Sequence, residues 1–145
     1  MQQVSFGSEW VSMIIKCVPR CKKSAKIKYR WKKPIKKGDI LEFWENLNSE
    51  NQKFLGKTIC TYEWPLFLCL ENKIPKIFMC NYNKPALLEK SFINHIAYED
   101  GFGKTPDDEC DILMWDCFQK AYGQKNGYFH WIKWCKPPTK EEGIL

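Results

Sequence analysis

The sequence predicts an α+β domain: a small β-barrel of mostly antiparallel strands, flanked by two to three helices. Three observations support this class. The first half alternates apolar and polar residues at the period of a strand, residues 88–122 have helical spacing, and an aromatic strand pattern closes the chain. At 145 residues and 44% hydrophobic, the chain can bury one sizeable core. We therefore expect one domain over residues 1–135 and a C-terminal tail over 136–145.

The first predicted element is a short helix over residues 8–16. Ser8 is of the residue type that caps helix N-termini, and Trp10, Met13 and Ile14 share one side of the helix. Pro19 follows and ends the pattern.

Residues 26–32 alternate cationic and bulky side chains, and this period of two predicts a β-strand. One face would carry Lys26, Lys28, Arg30 and Lys32, and the other Ile27, Tyr29 and Trp31. The strand lies in a stretch, residues 16–37, that contains many cations and no acid, so the net charge of +6 is local. Lysines also protect edge strands from aggregation, but so many cations exceed that need. Such a local field attracts polyanions.

The middle of the chain predicts further strands separated by turns. A turn at Lys37, Gly38 and Asp39 precedes a strand over 40–44, and a polar loop covers 46–53. Further strands are predicted over 55–64, 66–70 and 74–80, with a hairpin turn at Asn72 and Lys73.

Two helices and a last strand follow. The first helix has Leu88, Phe92, Ile96 and Ala97 on one face, and Gly101 ends it. The second begins with Thr105 as a cap and Pro106 at the first helical position, and Gly123 ends it. Residues 128–135 alternate aromatic side chains and predict a buried closing strand.

The eight cysteines lack the Cys-x-x-Cys spacing of zinc ribbons and fingers. A site could be drawn from Cys17, Cys21 and one of the two histidines, His95 and His130, but the spacing does not favour it. A disulfide between Cys17 and Cys21 would require an oxidising compartment. We expect no metal and no cofactor.

Residues 1–15 lack the basic start and long apolar run of an export signal, so a cytoplasmic location is expected. No apolar run approaches the roughly 20 residues of a membrane span. We expect a soluble monomer without a membrane partner.

Three segments resemble the ASCH domain family of the PUA-like group, and together they span residues 10–135. They are Lys23-Ser24-Ala25-Lys26-Ile27-Lys28-Tyr29, Lys37-Gly38-Asp39-Ile40-Leu41, and Ile96-Ala97-Tyr98-Glu99-Asp100-Gly101-Phe102 with the helix and strand after it. The resemblance implies a PUA-like barrel with a cleft between the barrel and the first helix. It also implies binding of RNA or modified nucleobases.

Some ASCH relatives are enzymes, including an amidohydrolase acting on acylated cytidine and a ribonuclease. Lys23 falls on the motif lysine, while Cys21, Lys26 and Lys28 replace the motif's glycine, its Glu or Thr, and its arginine. The replaced Glu or Thr supplies the acid, base or nucleophile in the enzymatic members. The departures therefore favour binding over catalysis.

The residue types of the cationic region also favour binding over catalysis, because hydrolysis needs a group that activates water or a nucleophile. The cationic region holds no acid, and its hydroxyls are Ser24 and Tyr29. Lys23 could act if burial and neighbouring lysines lowered its pKa, with a carboxylate from Glu42, Glu63 or Glu99. Asp39 and the pair Glu99 and Asp100 more closely match loop and turn residues.

We therefore predict a module that binds RNA or single-stranded nucleic acid, with lysines on phosphates and an aromatic ring on a base. The predicted contacts are Lys22, Lys23, Lys26, Lys28, Tyr29, Arg30, Trp31, Lys32 and Lys33. Two alternatives remain: a hydrolase of a modified nucleoside or RNA centred on Lys23, and a small viral or mobile-element protein that binds nucleic-acid-handling machinery.

Overall fold

The computed structural model describes residues 2–15, 23–29, 34–81 and 84–140. Its strands and helices, in chain order, are β1 (Gln2–Phe6), a 3-10 turn (Ser8–Trp10), α1 (Val11–Ile15), β2 (Ala25–Lys28), β3 (Ile40–Glu45), β4 (Lys53–Leu68), β5 (Ile77–Asn81), β6 (Lys84–Leu87), α2 (Lys90–Glu99), α3 (Cys110–Tyr122) and β7 (Gly127–Trp134). The predicted α+β class is confirmed.

Contacts group the chain into two compact units. The first unit comprises residues 1–24, 32–63 and 132–145, and the second comprises 25–31 and 64–131. The strands β4 and β7 each contribute residues to both. The strand pairs are mixed in direction: β1 is parallel to β3, whereas β3–β4, β4–β5 and β5–β6 are antiparallel. The strand β7 pairs with β2 and β4.

In the first unit, β1 lies beside β3 with Val4 opposite Phe43, and both side chains are buried. The Phe43 ring lies 4.8 Å from Phe6 and 4.7 Å from Trp134, centroid to centroid, and meets both edge to face. Aromatic pairs at this separation favour that geometry. The strand β1 was not predicted, because it pairs with a strand more than thirty residues away.

In the second unit, α2 packs against α3. Their buried residues include Ile93 and Ile96 of α2 and Trp115 of α3. The Trp115 indole donates a hydrogen bond of 2.8 Å to the Asn72 carbonyl, and the Gln119 amide donates to the same oxygen at 3.0 Å. These bonds hold the turn between β4 and β5 against α3.

Two helix starts differ from the prediction. The Ser8 hydroxyl donates to the Glu45 carboxylate at 2.9 Å and does not cap a helix, and the first helical segment begins with a 3-10 turn before α1. The helix α3 begins at Cys110 and not at Thr105. The Asp108 carboxylate accepts the N–H groups of Lys104 and Thr105, which folds this segment into turns instead.

The predicted break between strands at 55–64 and 66–70 is also wrong, because β4 is continuous through Pro65. Proline is tolerated in a strand where no N–H is needed for the ladder. Pro65 is exposed, and the register with β5 begins one residue later, at Leu66. The strand β6 was not predicted.

Residues 136–139, predicted as part of a tail, lie along β4 in the first unit. Lys57 and Thr139 exchange two backbone hydrogen bonds, of 2.8 and 2.9 Å. The Thr58 hydroxyl donates to the Lys136 carbonyl at 2.8 Å. Gly56 allows this approach, because a Cβ there would lie 2.8 Å from the Thr139 backbone.

In the described part of the chain, no helix combines the length and the apolar character that crossing a membrane would require.

Candidate functional site

Four of the predicted contact residues can be located: Lys23, Lys26, Lys28 and Tyr29. The others, Lys22, Arg30, Trp31, Lys32 and Lys33, lie outside the described residues.

Lys26 and Lys28 lie on β2, where the predicted alternation is present. Ala25 and Ile27 are buried, whereas the two lysines are partly exposed. The lysines therefore share the outward face of this short strand.

Tyr29 follows β2 and is 43% exposed, so part of its ring lies at the surface. It borders a recess of about 270 Å³ in the second unit. The residues that line this recess, here called the aromatic recess, are Tyr29, Tyr122, Lys125, Asn126 and Phe129.

The three rings of the aromatic recess are inclined to one another. Phe129 lies 5.4 Å from Tyr29 at 65° and 5.0 Å from Tyr122 at 85°, while the two tyrosines are 6.2 Å apart. Phe118 stacks on Phe129 at 6.0 Å and 13° and so supports it. The recess therefore presents both ring faces and ring edges to a ligand.

Gly127 allows the Tyr29 ring to pack closely against the backbone. A Cβ on Gly127 would lie 3.2 Å from the Tyr29 ring, which is tighter than ordinary contact. The bare backbone at the start of β7 therefore lets Tyr29 lie close to the strand that carries Phe129.

Glu71 holds the Asn126 side chain, which lines the recess, in one orientation. The Asn126 Nδ2 donates to the Glu71 carboxylate at 2.8 Å, and the Asn126 Oδ1 accepts the Glu71 N–H at 3.2 Å. An amide has two N–H groups, so Asn126 can offer its second one to a ligand. Lys125 is exposed and gives the lining its formal positive charge.

Tyr122 keeps its phenol proton at neutral pH. Burial raises its pKa above the ordinary value, and the charges of Asp100 and Cys117 act in the same direction, while a hydrogen bond with the Tyr29 backbone lowers it. A protonated phenol remains a hydrogen-bond donor and adds no negative charge to the site.

Lys23 lies elsewhere, in the first unit, and is only 3% exposed. Its ammonium is 4.8 Å from the centroid of the Trp10 ring and 5.9 Å from that of Phe6. Its backbone N–H donates to the Met13 carbonyl of α1 at 3.1 Å. Cation–π attraction stabilises such a position, but an enclosed ammonium does not suit a contact with a polymer phosphate.

The acidic candidates have structural contacts. The Asp39 carboxylate accepts the Lys36 N–H at 2.9 Å, which makes it the turn residue that the sequence indicated. Glu99 is 5% exposed, and its carboxylate lies 2.9 Å from His95 Nε2. Across the described residues, no cluster of His, Cys, Asp or Glu could hold a metal ion.

Four residues of the aromatic recess were not predicted from the sequence: Tyr122, Lys125, Asn126 and Phe129. They come from the end of α3, the connection after it and the start of β7, and they meet Tyr29 because β7 pairs with β2. The only local signal was an aromatic residue in the last turn of a helix, followed by a Lys-Asn-Gly turn before an aromatic strand.

Comparison with known proteins found no match to the chain among protein-family models, curated proteins or solved structures.

Proposed function

We propose that this protein binds single-stranded nucleic acid, RNA above all, and that the aromatic recess receives one unpaired base. Lys28 and Lys125 contact the phosphates on either side of that base. The observation that carries this proposal is a recess of base-sized volume, lined by three aromatic rings and a lysine, at the end of a strand with two outward lysines.

The volume supports a small planar ligand. Sites for drug-sized ligands span about 300–1,000 Å³, and the aromatic recess, at about 270 Å³, falls just below that range. The faces and edges of its rings suit a base that stacks on one ring and meets the edge of another. A base within a duplex is already stacked and cannot enter, so single strands or loops are preferred.

Charge supports an anionic ligand. The stretch of residues 16–37, which contributes Lys26 and Lys28 to β2, carries the excess that makes the net charge +6. Phosphate contacts of this kind provide affinity and position, whereas the rings and the Asn126 amide provide modest selectivity. The resemblance to ASCH proteins supports the same class of ligand.

The lining of the recess favours binding over hydrolysis. Among the described residues that line it there is neither a carboxylate nor a histidine, and Tyr122 is held protonated. Activation of water normally requires such a base within hydrogen-bond reach.

Fluorescence anisotropy of labelled single-stranded RNA, single-stranded DNA and duplex, measured over a range of salt concentrations, tests the proposal. With about five phosphates engaged, by Lys28 and Lys125 and by other cations predicted over residues 22–33, the log–log salt slope for single strands should be roughly −3.5. Tyr29→Ala removes one stacking ring, worth about 1–3 kcal/mol per base, so the Kd should rise about 5- to 160-fold.

The matched charge control is Lys120, which is exposed on α3 and paired with Asp116 at 2.9 Å. Lys125→Ala should reduce the magnitude of the salt slope by about 0.7, whereas Lys120→Ala should leave it unchanged. A flat salt response, or equal behaviour of the two lysine variants, would remove the proposal. Binding of a trimethyllysine peptide in place of RNA would identify the rings as a cation cage instead.

A further inference from the structure

A second recess lies in the same unit. Its volume is about 270 Å³, and its lining is apolar: Phe67, Phe78, Pro85 and Tyr128. None of these residues belongs to the aromatic recess.

The strand register places this recess on the face of the strands that points away from the core. Phe67 of β4 lies directly opposite Phe78 of β5, while the neighbouring residues Leu66 and Ile77 are fully buried. On β7, Tyr128 and Phe129 are consecutive, so they point to opposite faces. The two recesses therefore use opposite faces of β7.

The rings of the second recess are contiguous and accessible. Tyr128 is 67% exposed, and its ring lies 5.0 Å from that of Phe67 at 68°. Single surface aromatics are common and need no explanation. Here three aromatic side chains from three strands surround one recess, and together they form a surface on which a planar ring can stack.

A cation lies beside this patch. Lys76 is two residues before Phe78, and its ammonium lies 5.5 Å from the centroid of the Phe78 ring. The described residues of the lining include no acid. A planar apolar group with an anion beside it matches both the rings and the lysine, and a nucleotide has both features.

We propose that this face, named the outer stacking face and defined by Phe67, Phe78, Pro85 and Tyr128, holds a second base of the same single strand. The inference rests on the proposed function. Bases stack on exposed aromatic side chains of a sheet in other single-strand binders, with lysines on the phosphates between them. The protein then holds two bases on opposite faces of β7, and its site size exceeds one nucleotide.

The test compares Tyr128→Ala with Ile74→Ala, which removes an exposed apolar side chain outside both linings (Ile74 is 72% exposed). Binding of a labelled 12-nucleotide single-stranded RNA should weaken about fivefold or more in Tyr128→Ala and remain unchanged in Ile74→Ala. With 5-iodouridine in the RNA, irradiation of the wild-type complex should crosslink the peptides that carry Tyr29 and Tyr128.

The outcomes separate the two proposals. If the RNA binds and Tyr29→Ala weakens it, but Tyr128→Ala binds like the wild type and no crosslink forms at Tyr128, the outer stacking face is overturned and the proposed function stands. If the wild type binds no single strand, both proposals fail. If sedimentation shows a wild-type dimer that Tyr128→Ala dissociates, the face is an interface between two copies, which also overturns the inference.

Discussion

Replacing Gly56 by alanine should destabilise the protein far more than replacing Gly38 by alanine. Both glycines have positive φ angles, +132° at Gly56 and +93° at Gly38, so alanine is strained at either position. They differ in their surroundings. A Cβ on Gly56 would meet three backbone atoms of Thr139 at 2.8–2.9 Å, whereas a Cβ on Gly38 would meet nothing within 4 Å.

The extra cost at Gly56 follows from the hydrogen bonds that the clash would break. The Thr139 backbone cannot move aside without losing its two bonds to Lys57, and the bond from the Thr58 hydroxyl to the Lys136 carbonyl depends on the same placement. At about 0.5–1.5 kcal/mol each, these bonds are worth about 1.5–4.5 kcal/mol beyond the strain that both variants share.

Urea unfolding, followed by circular dichroism and tryptophan fluorescence, would measure the difference. For an m-value of about 1–3 kcal/mol/M, an extra 3 kcal/mol lowers the midpoint by about 1–3 M. A chain ending at Cys135 lacks the clashing atoms, so in that background the two substitutions should cost the same. Equal costs in the full-length chain would refute the packing of residues 136–139 against β4.

Two further predictions concern ionisable groups of the second unit. Burial raises the pKa of Tyr122 above its unfolded value near 10, so the unfolded chain releases this proton first as the pH rises. The free energy of unfolding should therefore fall above about pH 10. The urea midpoint of Tyr122→Phe should fall less than that of the wild type between about pH 9 and 11. The Asp111 carboxylate is 2% exposed and lies 2.8 Å from the Lys90 ammonium. Lys90→Met leaves this buried charge unpaired and should lower the Tm, and adding Asp111→Asn should restore much of the loss. Additive effects of the two substitutions on the Tm would show that the pair does not interact.

Local signals predicted the elements whose structure depends on neighbouring residues in the chain. The Gly38 turn, the alternation of β2, the end of α2 near Gly101 and the strand β7 all follow from glycine conformation or hydrophobic periodicity. The start of α3 was misplaced, although its sequence matched a capping motif. The Asp108 carboxylate accepts hydrogen bonds from the N–H groups of Lys104 and Thr105, which favours a turn over a helix here. Residue type alone does not decide between these two local structures.

Of the candidate site, the cationic strand and Tyr29 could be predicted, because charge and strand period are properties of consecutive residues. The partners of Tyr29 could not. Tyr122 and Phe129 are more than ninety residues away, and the pairing of β2 with β7 brings them to it. Lys23 shows the opposite case: its sequence context suggested a surface cation, whereas packing placed its ammonium over the rings of Trp10 and Phe6.

Composition and periodicity thus established an α+β chain with a concentrated positive charge and aromatic strands, since these properties need no knowledge of distant contacts. Strand pairing decided which aromatic rings surround a cavity and which are buried in the core. It also decided that Phe129 meets Tyr29 and Tyr122, whereas Tyr128 meets Phe67. A recess is formed by side chains from several elements, so it exists only once long-range pairing has brought those elements together.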